Sequence, residues 1–316
     1  PSSAGKRKKK AQKPSTTGDN VKVSVRIRPL NRRETTAGDD VAWEWTDRTI
    51  QLKDEGVVTT APARDLPRIS YTYDHLFHPD TTNEQVYRDI GCSVVKAAVD
   101  GFHSSVFAYG QTSTGKTHTM IGAGSRITGI LGHAVSDIFK MIKENRNREY
   151  LLRVSFMEIY NEAVNDLLVP TSTNLVIFEH SKKGCIIRGL LEEVVTTEQR
   201  ILQLVVSGLR HRKVGSTNYN AKSSRSHTIF RMIIESKPKG QTSKRVRSFS
   251  HLSVSSTCVL FALITVFPTF RQGSVRISTL SMIDLAGSES LKLSGAKVTR
   301  KAEGGFVRTL ISQLPI

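Results

Sequence analysis

The stretch that decides the fold of this chain is Gly110-Gln-Thr-Ser-Thr-Gly-Lys-Thr117. It matches the pattern G-x-x-x-x-G-K-S/T, in which glycines let backbone N–H groups turn inward around a phosphate. The apolar run Ser105–Tyr109 before it predicts a strand, and the helix expected after it presents its positive end to the same anion. Lys116 can reach the β- and γ-phosphates, and Thr117 can ligate Mg²⁺ through its hydroxyl. The stretch therefore predicts binding of a nucleoside triphosphate with magnesium.

Strand-like and helix-like segments alternate along the rest of the chain. Alternating apolar and polar residues predict a half-buried strand at 21–27, and apolar residues at helical spacing predict a helix that begins at Asn83 and stops at Gly101. The same patterns predict helices at 130–143 and 198–209 and strands at 151–159, 228–235 and 277–283. Strands that alternate with helices indicate an α/β domain with a central, mostly parallel sheet flanked by helices.

The charge balance is strongly basic, with 46 Lys and Arg against 28 Asp and Glu and a net charge of +18. An excess of this size predicts a polyanionic partner such as a nucleic acid, an acidic membrane or an acidic protein surface. Part of it lies in Lys6–Lys10, within an opening rich in Ser, Thr, Lys and Pro. Residues 1–20 are therefore predicted to be a disordered basic tail before a domain at 21–316. A nuclear-import signal, a nucleic-acid arm and a plain solvated tail are all open.

Several classes of protein are disfavoured. No apolar run approaches the roughly 20 residues of a membrane span, and the N-terminus lacks the apolar core of a signal peptide. The three cysteines, Cys92, Cys185 and Cys258, have neither metal-ligand nor redox spacing, and an odd number argues against a disulfide framework. These features predict a cytosolic or nuclear protein without a membrane span.

Two polar segments after the loop carry a family resemblance. Asn220–His227 stands just before a predicted strand, and Asp284–Glu289 follows a buried one. Together with 110–117, and in this order, they resemble switch I, switch II and the phosphate loop of kinesin motor domains. Three further kinesin signatures are matched by Arg26–Pro29, Tyr73–Phe77 and Phe156–Glu162. The resemblance extends from about Val21 to Gly305, and Val23–Asn31 is most similar to the centromere-associated (CENP-E-like) kinesins.

The resemblance implies a P-loop NTPase fold of the kinesin type and a microtubule-based motor whose ATPase is stimulated by microtubules. ATP and Mg²⁺ are the implied cofactors, and Pro29 and His118 would sandwich the adenine, with Arg26 and Arg28 near the ribose. The residues that would surround the phosphates are Gly110, Gln111, Thr112, Ser113, Thr114, Gly115, Lys116 and Thr117.

The same resemblance assigns the metal and the catalytic step. Thr117 and Ser224 would bind Mg²⁺, and Asp284 would hold a metal-bound water. Near the γ-phosphate, Ser223 would make a contact and Gly287 would donate its N–H. The remaining pair, Arg225 and Glu289, would form a salt bridge, and Glu289 would relay the proton of the attacking water.

The microtubule surface is acidic, so the resemblance gives the net positive charge a partner. The residues Lys292, Lys297, Arg300 and Lys301 follow switch II, where kinesins place a basic track-facing loop. We therefore expect the protein on cytoplasmic microtubules, with nuclear or kinetochore association as a further expectation. Direction of movement and cargo are not encoded in these motifs.

The chain departs from the family pattern at two places. Some forty residues separate the predicted strands at 228–235 and 277–283, and the atypical part at about 246–272 is open to three interpretations: an extra strand, a partner-binding insertion or translated intron. After Gly305 kinesins continue with Ile-Asn-x-Ser-Leu, whereas this chain continues as Phe306–Ile316. The C-terminal part of the motor domain is therefore expected to be incomplete, with an exposed apolar face, and a homodimer would need a stalk absent from this chain.

Two other functions are weighed against a motor. A nucleotide-dependent microtubule-binding protein without productive movement is expected if the missing track-binding elements uncouple the cycle. A basic nucleic-acid-binding protein would need a readout module or aromatic residues interleaved with its basic run, and the Lys6–Lys10 region has neither.

Overall fold

The computed structural model describes residues 21–53, 70–123, 127–180, 184–214, 225–240, 262–267 and 275–288. Its strands are β1 (Val21–Arg26), β2 (Trp43–Trp45), β3 (Thr49–Leu52), β4 (Ser70–Thr72), β5 (His75–Phe77), β6 (His103–Ala108), β7 (Gly122–Ala123), β8 (Ile127–Thr128), β9 (Arg148–Tyr160), β10 (Ala163–Asp166), β11 (Ile177–His180), β12 (Gly184–Ile187), β13 (Glu193–Val195), β14 (His227–Pro238), β15 (Ala262–Phe267) and β16 (Arg276–Asp284). Its helices are α1 (Arg32–Ala37), α2 (Asn83–Val86), α3 (Cys92–Asp100), α4 (Lys116–Met120), α5 (Ile130–Glu144) and α6 (Glu198–Val214). The predicted tail at 1–20 and the basic residues after 288 lie outside the described residues.

The central sheet has nine strands in the order β10-β9-β14-β16-β6-β15-β1-β5, with β13 paired to β9. This confirms the predicted α/β domain with a central sheet flanked by helices. The prediction of a mostly parallel sheet is wrong. Among the described strands, only β6 with β16 and β1 with β5 run parallel, and the other neighbours are antiparallel.

The reason for this error lies in the connections. Parallel neighbours need a crossover, whereas antiparallel neighbours can follow a tight turn. Asn161 and Glu162 form such a turn between β9 and β10, and both have positive φ, 47° and 63°, as a two-residue hairpin requires. Apolar periodicity is the same for both strand directions, so it predicts the strands but not their orientation.

Each face of the sheet packs against its own apolar layer. On the first face, α3, α5 and α6 cover the alternate residues Val154 and Phe156 of β9, with Phe230 and Met232 of β14. On the opposite face, Met157 and Ile159 of β9 belong to a smaller cluster that includes residues of the β11–β12 hairpin. The alternation fits the period of two of a strand, and it explains why the middle of β9 is buried on both sides.

The predicted helix at 83–101 is present but contains a π-helical turn, Tyr87–Gly91. A Cβ added to Gly91 would lie 2.5 Å from Cδ2 of Tyr87, so the absence of a side chain lets the ring pack over this turn. The Tyr87 hydroxyl donates a hydrogen bond of 2.7 Å to Asp137 on α5, which ties the turn to the next helix.

Strand β15 comes from the predicted insertion at 246–272. It lies between β1 and β6 and is antiparallel to both. The strand covers only Ala262–Phe267 of this insertion, and all three interpretations stay predictions. None of the described helices combines the length and apolar composition needed to cross a membrane.

Candidate active site

The phosphate loop lies between β6 and α4, as the sequence predicts. Gly110 and Gly115 have φ values of 152° and 99°, and Ser113 has a φ of 66°. A Cβ at Gly110 would lie 2.6 Å from Oγ1 of Thr114, which itself donates to the Gln111 carbonyl. The loop therefore closes on itself in a conformation that a larger residue at position 110 would disturb.

Lys116, the first residue of α4, folds over this loop. Its Nζ donates hydrogen bonds of 2.9 Å to the Gly110 carbonyl and 2.7 Å to the Gln111 carbonyl. The ammonium is thus held at the loop, where a point charge attracts a polyphosphate.

Thr117 and Asp284 meet directly although they are far apart in sequence. The Thr117 Oγ1 donates to Oδ2 of Asp284 at 2.5 Å. The contact arises because β16 runs parallel to β6 and ends beside it, with Asp284 paired to Ala108. Beyond the strand, the Leu285 and Ser288 N–H groups donate to the Ala108 and Gly110 carbonyls, so the predicted switch II backbone runs along the loop.

These two side chains fit a Mg²⁺ ion. Magnesium takes oxygen ligands, commonly one or two from the protein together with phosphate and water. The Asp284 carboxylate is 2% exposed, and its Oδ1 has no hydrogen-bond partner within the described part of the chain. Burial raises the pKa of this carboxyl, while Thr117, Arg212 and Lys116 act in the opposite direction.

Two buried charged residues beside Asp284 were not among the predicted site residues, although one of them, Glu158, lies within the Phe156–Glu162 signature. Arg212 on α6 is 7% exposed and Glu158 on β9 is 2% exposed. The Arg212 guanidinium lies 3.7 Å from Oε1 of Glu158 and 3.8 Å from Oδ2 of Asp284, and it donates to Oγ of Ser226 at 3.1 Å. Arg212 thus connects the end of α6, the β9 motif and the Asp284 carboxylate.

His227 links the two predicted switch segments. Its Nδ1 accepts a hydrogen bond of 3.2 Å from the N–H of Ala286, next to Gly287. Burial, with smaller contributions from Arg212 and Lys116, lowers the pKa of His227 to about 4. The imidazole is therefore neutral near pH 7 and keeps Nδ1 free of a proton for this bond.

The predicted base side of the site has a different character. Pro29 and His118 are both exposed. The Arg28 guanidinium forms two hydrogen bonds with Glu34, of 2.7 and 2.5 Å. Arg26 donates to Oδ1 of Asn83 at 2.5 Å and to two further acceptors. Both arginines therefore have protein partners, and their predicted contact with the ribose stays a prediction.

The structure describes only part of the predicted site. It brings the phosphate loop, Asp284 and Gly287 together, and it includes Arg225. The predicted switch residues Ser223, Ser224 and Glu289 lie outside the described residues.

A protein-family model described as the kinesin motor domain matches residues 26–315. The chain belongs to the kinesin motor-domain family. Its relatives include the chloroplastic kinesin-like protein KIN-7K of Arabidopsis thaliana, which is 42% identical over 303 residues, or 94% of this chain and 27% of that protein. Kinesin-related protein 11 of Dictyostelium discoideum is 44% identical over 257 residues, or 78% of this chain and 34% of that protein.

A solved structure supports the same assignment of fold. This structure is that of a fast kinesin, described with implications for ATPase mechanism and interactions with microtubules. The two structures superpose with a TM-score of 0.71 at 29% sequence identity, and the match covers 89% of this chain and 70% of the fast kinesin chain. This motor domain spans about a third or less of the length of the two curated relatives. The names of these relatives give no support to the predicted likeness to centromere-associated kinesins.

Proposed function

We propose that this chain is a microtubule-directed motor domain that binds ATP with Mg²⁺ and hydrolyses it faster when microtubules are present. The observation that carries the proposal is the Thr117–Asp284 hydrogen bond beside Lys116. The proposal is supported because a hydroxyl, a carboxylate and an ammonium lie close together in a chain that belongs to the kinesin family.

In this proposal the loop and its neighbours bind the triphosphate. The backbone N–H groups of residues 110–117 and the Lys116 ammonium contact the β- and γ-phosphates. Thr117, Ser224 and, through a water, Asp284 would hold Mg²⁺, which would neutralise phosphate charge when bound. The Arg212 guanidinium lies 3.8 Å from Oδ2 of Asp284 and favours the charged form of this carboxylate, whose pKa is raised by burial.

The switch residues then supply the hydrolytic step. Ser223 and the Gly287 N–H contact the γ-phosphate, while Glu289, paired with Arg225, takes up a proton from the attacking water. The His227–Ala286 hydrogen bond holds the Gly287 backbone beside the phosphate loop, so loss of the γ-phosphate is sensed by both switches together.

The test is ATP turnover by the purified chain with and without microtubules, for wild type and for Lys116→Ala. We expect stimulation of about tenfold or more in wild type, and a loss of about 100-fold or more in Lys116→Ala because the point charge on the phosphates is gone. Lys140→Ala, which removes an exposed lysine from α5, serves as the matched control and should keep wild-type turnover.

The other outcomes have distinct meanings. Microtubule binding with clear turnover but stimulation well under about tenfold would favour the alternative of nucleotide-dependent binding without productive movement. Absence of ATP turnover in wild type contradicts the proposal, and stimulation by DNA in place of microtubules would favour a nucleic-acid-binding protein.

The cellular setting follows from the same proposal. We propose that the protein acts on the microtubule cytoskeleton of the cytoplasm, with a basic tail at 1–20 before a partial motor domain at 21–316 that contains the insertion at about 246–272. Nuclear or kinetochore association, and a homodimer formed through a stalk, stay predictions. Imaging the full-length protein with labelled microtubules tests them.

A further inference from the structure

Asn83, the first residue of α2, has partners on both sides of its carboxamide. The side chain is 5% exposed. Its Oδ1 accepts from Arg26 at 2.5 Å, and its Nδ2 donates to the carbonyls of His118 at 2.9 Å and Thr128 at 3.0 Å. Two carbonyls on one side and a guanidinium on the other fix which end of the amide is oxygen.

This side chain joins the strand and the helix that carry the predicted base site. Arg26 belongs to β1, three residues before Pro29, and His118 belongs to α4. The Arg26 guanidinium also donates to Oγ1 of Thr119 at 2.8 Å. Both contacts connect β1 to α4 through one partly buried polar cluster, defined here as the Asn83 cluster: Arg26, Thr81, Asn83, Thr119 and the carbonyls of His118 and Thr128.

Helix α4 depends on such anchors because it is short. It has five residues, fewer than an isolated helix needs for stability. The last backbone carbonyls of α4 have no partner within the helix. The Asn83 side chain donates a hydrogen bond to one of them, the His118 carbonyl. The Asn83 cluster therefore ties to β1 the part of α4 that follows Lys116 and Thr117, through the His118 carbonyl and the Thr119 hydroxyl.

We propose that Asn83 is a positioning residue of the nucleotide site, which holds His118 opposite Pro29 and thereby sets the affinity for the adenine base and not the rate of hydrolysis. The inference rests on the proposed function and on the sequence-based prediction that the base lies between these two exposed side chains. Asn83 touches neither the phosphate loop nor Asp284 in the described structure, so the phosphate side should be spared when it is changed.

The experiment compares Asn83→Asp and Asn83→Ser with wild type. Aspartate keeps the shape but turns an oxygen toward two carbonyl oxygens, and serine is too short to reach both. We expect the KM for ATP to rise about tenfold in both variants, with kcat changed less than about threefold. The affinity for magnesium tripolyphosphate, which has no base, should stay within about threefold of wild type by calorimetry.

Two further variants keep the result interpretable. Thr119→Val removes a second link between β1 and α4 and leaves Asn83 unchanged. We expect a smaller rise in the KM for ATP, of about threefold. This variant provides the test if the Asn83 variants do not fold. Asn145→Ala removes a hydrogen bond of 2.9 Å to Tyr150 at the far end of α5, and it should leave both KM and kcat unchanged.

The inference is overturned if Asn83→Asp, folded by circular dichroism, has the wild-type KM for ATP. It is also overturned if tripolyphosphate affinity falls as much as ATP affinity, because the role would then be general support of the loop. A wild-type protein that neither binds nor hydrolyses ATP is a different result, since it removes the proposed function itself.

Discussion

The phosphate side and the predicted base side of the candidate nucleotide site are built in different ways. On the phosphate side, buried charged groups from distant parts of the chain face one another: Arg212, Glu158 and Asp284. On the base side, Pro29 and His118 are exposed, and Arg28 pairs with Glu34 only six residues away. Buried charges are costly when a partner is lost, whereas exposed pairs contribute little. We therefore expect changes on the phosphate side to affect folding as well as ATP turnover. Changes on the base side should affect mainly the affinity for the nucleotide.

The largest expected effect comes from Arg212→Ala. It leaves two buried carboxylates, Glu158 and Asp284, without this opposite charge, and breaking a buried ion pair typically costs about 3–5 kcal/mol. We expect a loss of that order in the free energy of unfolding measured with urea, together with the loss of most ATP turnover.

Arg200→Ala is the matched control, because it removes an arginine from the same helix whose guanidinium pairs with Glu193 while about half exposed. It should change the free energy of unfolding by less than about 1 kcal/mol. Equal losses for the two variants would contradict the contrast between buried and exposed charges.

The phosphate side also shows what the sequence could and could not reveal. The loop at 110–117 was predictable because its backbone conformation requires glycines at set positions. Asp284 was predictable because it ends a buried strand. Arg212 was not, because the helix predicted at 198–209 ended before it, whereas α6 continues to Val214. The spacing of Arg212 was the signal that could have identified it. Ile201, Val205 and Arg212 lie on one face of the helix, so a charged residue stands where the apolar stripe would continue.

The base side was harder to predict for a different reason. The pattern Arg26–Pro29 indicated a nucleotide contact. In the structure, however, the Arg26 guanidinium donates hydrogen bonds to Asn83, Thr119 and the Thr81 carbonyl. Those partners follow from the packing of α2 and α4 against β1, which no local pattern encodes. For the same reason the register and direction of most sheet strands came only from the structure.

A second prediction concerns the link between the switch segments. His227→Ala removes the acceptor for the Ala286 N–H, and a buried donor without a partner costs about 1–3 kcal/mol. We expect a destabilisation of that size and a fall in kcat of about tenfold, since the Gly287 backbone loses its support.

His227→Asn is the informative comparison for this prediction, because it keeps an acceptor oxygen at the same distance along the side chain as Nδ1. It should recover most of the stability and of the kcat. A full loss of activity in His227→Asn would mean that the ring itself, and not the acceptor, is needed.

A third prediction is a pH dependence of the phosphate side. The pKa of His227 is lowered to about 4 from an unfolded value of about 6.5, so the unfolded chain binds the extra proton first. Stability is therefore present above pH ~6.5 and is lost as the pH falls to ~4, by at most about 3 kcal/mol from this residue. Urea unfolding at several pH values should show a shallower loss in His227→Asn; parallel curves for the two proteins would contradict the assignment.

The smallest effect is expected on the base side, in Glu34→Gln. Hydrogen bonds from Arg28, then from the Asn31 N–H, lower the pKa of Glu34 to about 2. A lowered carboxyl pKa adds stability above the unfolded value of about 4.3, and this stability is lost as the pH falls toward 2. Because both side chains are partly exposed, at 33% and 25%, solvent screens the pair. Glu34→Gln should therefore shift the thermal unfolding midpoint only slightly at pH 7, and the difference from wild type should shrink as the pH falls toward 2. A shift of the unfolding midpoint as large as that of Arg212→Ala would contradict the contrast between the two sides of the site. It would mean that solvent does not screen the Arg28–Glu34 pair.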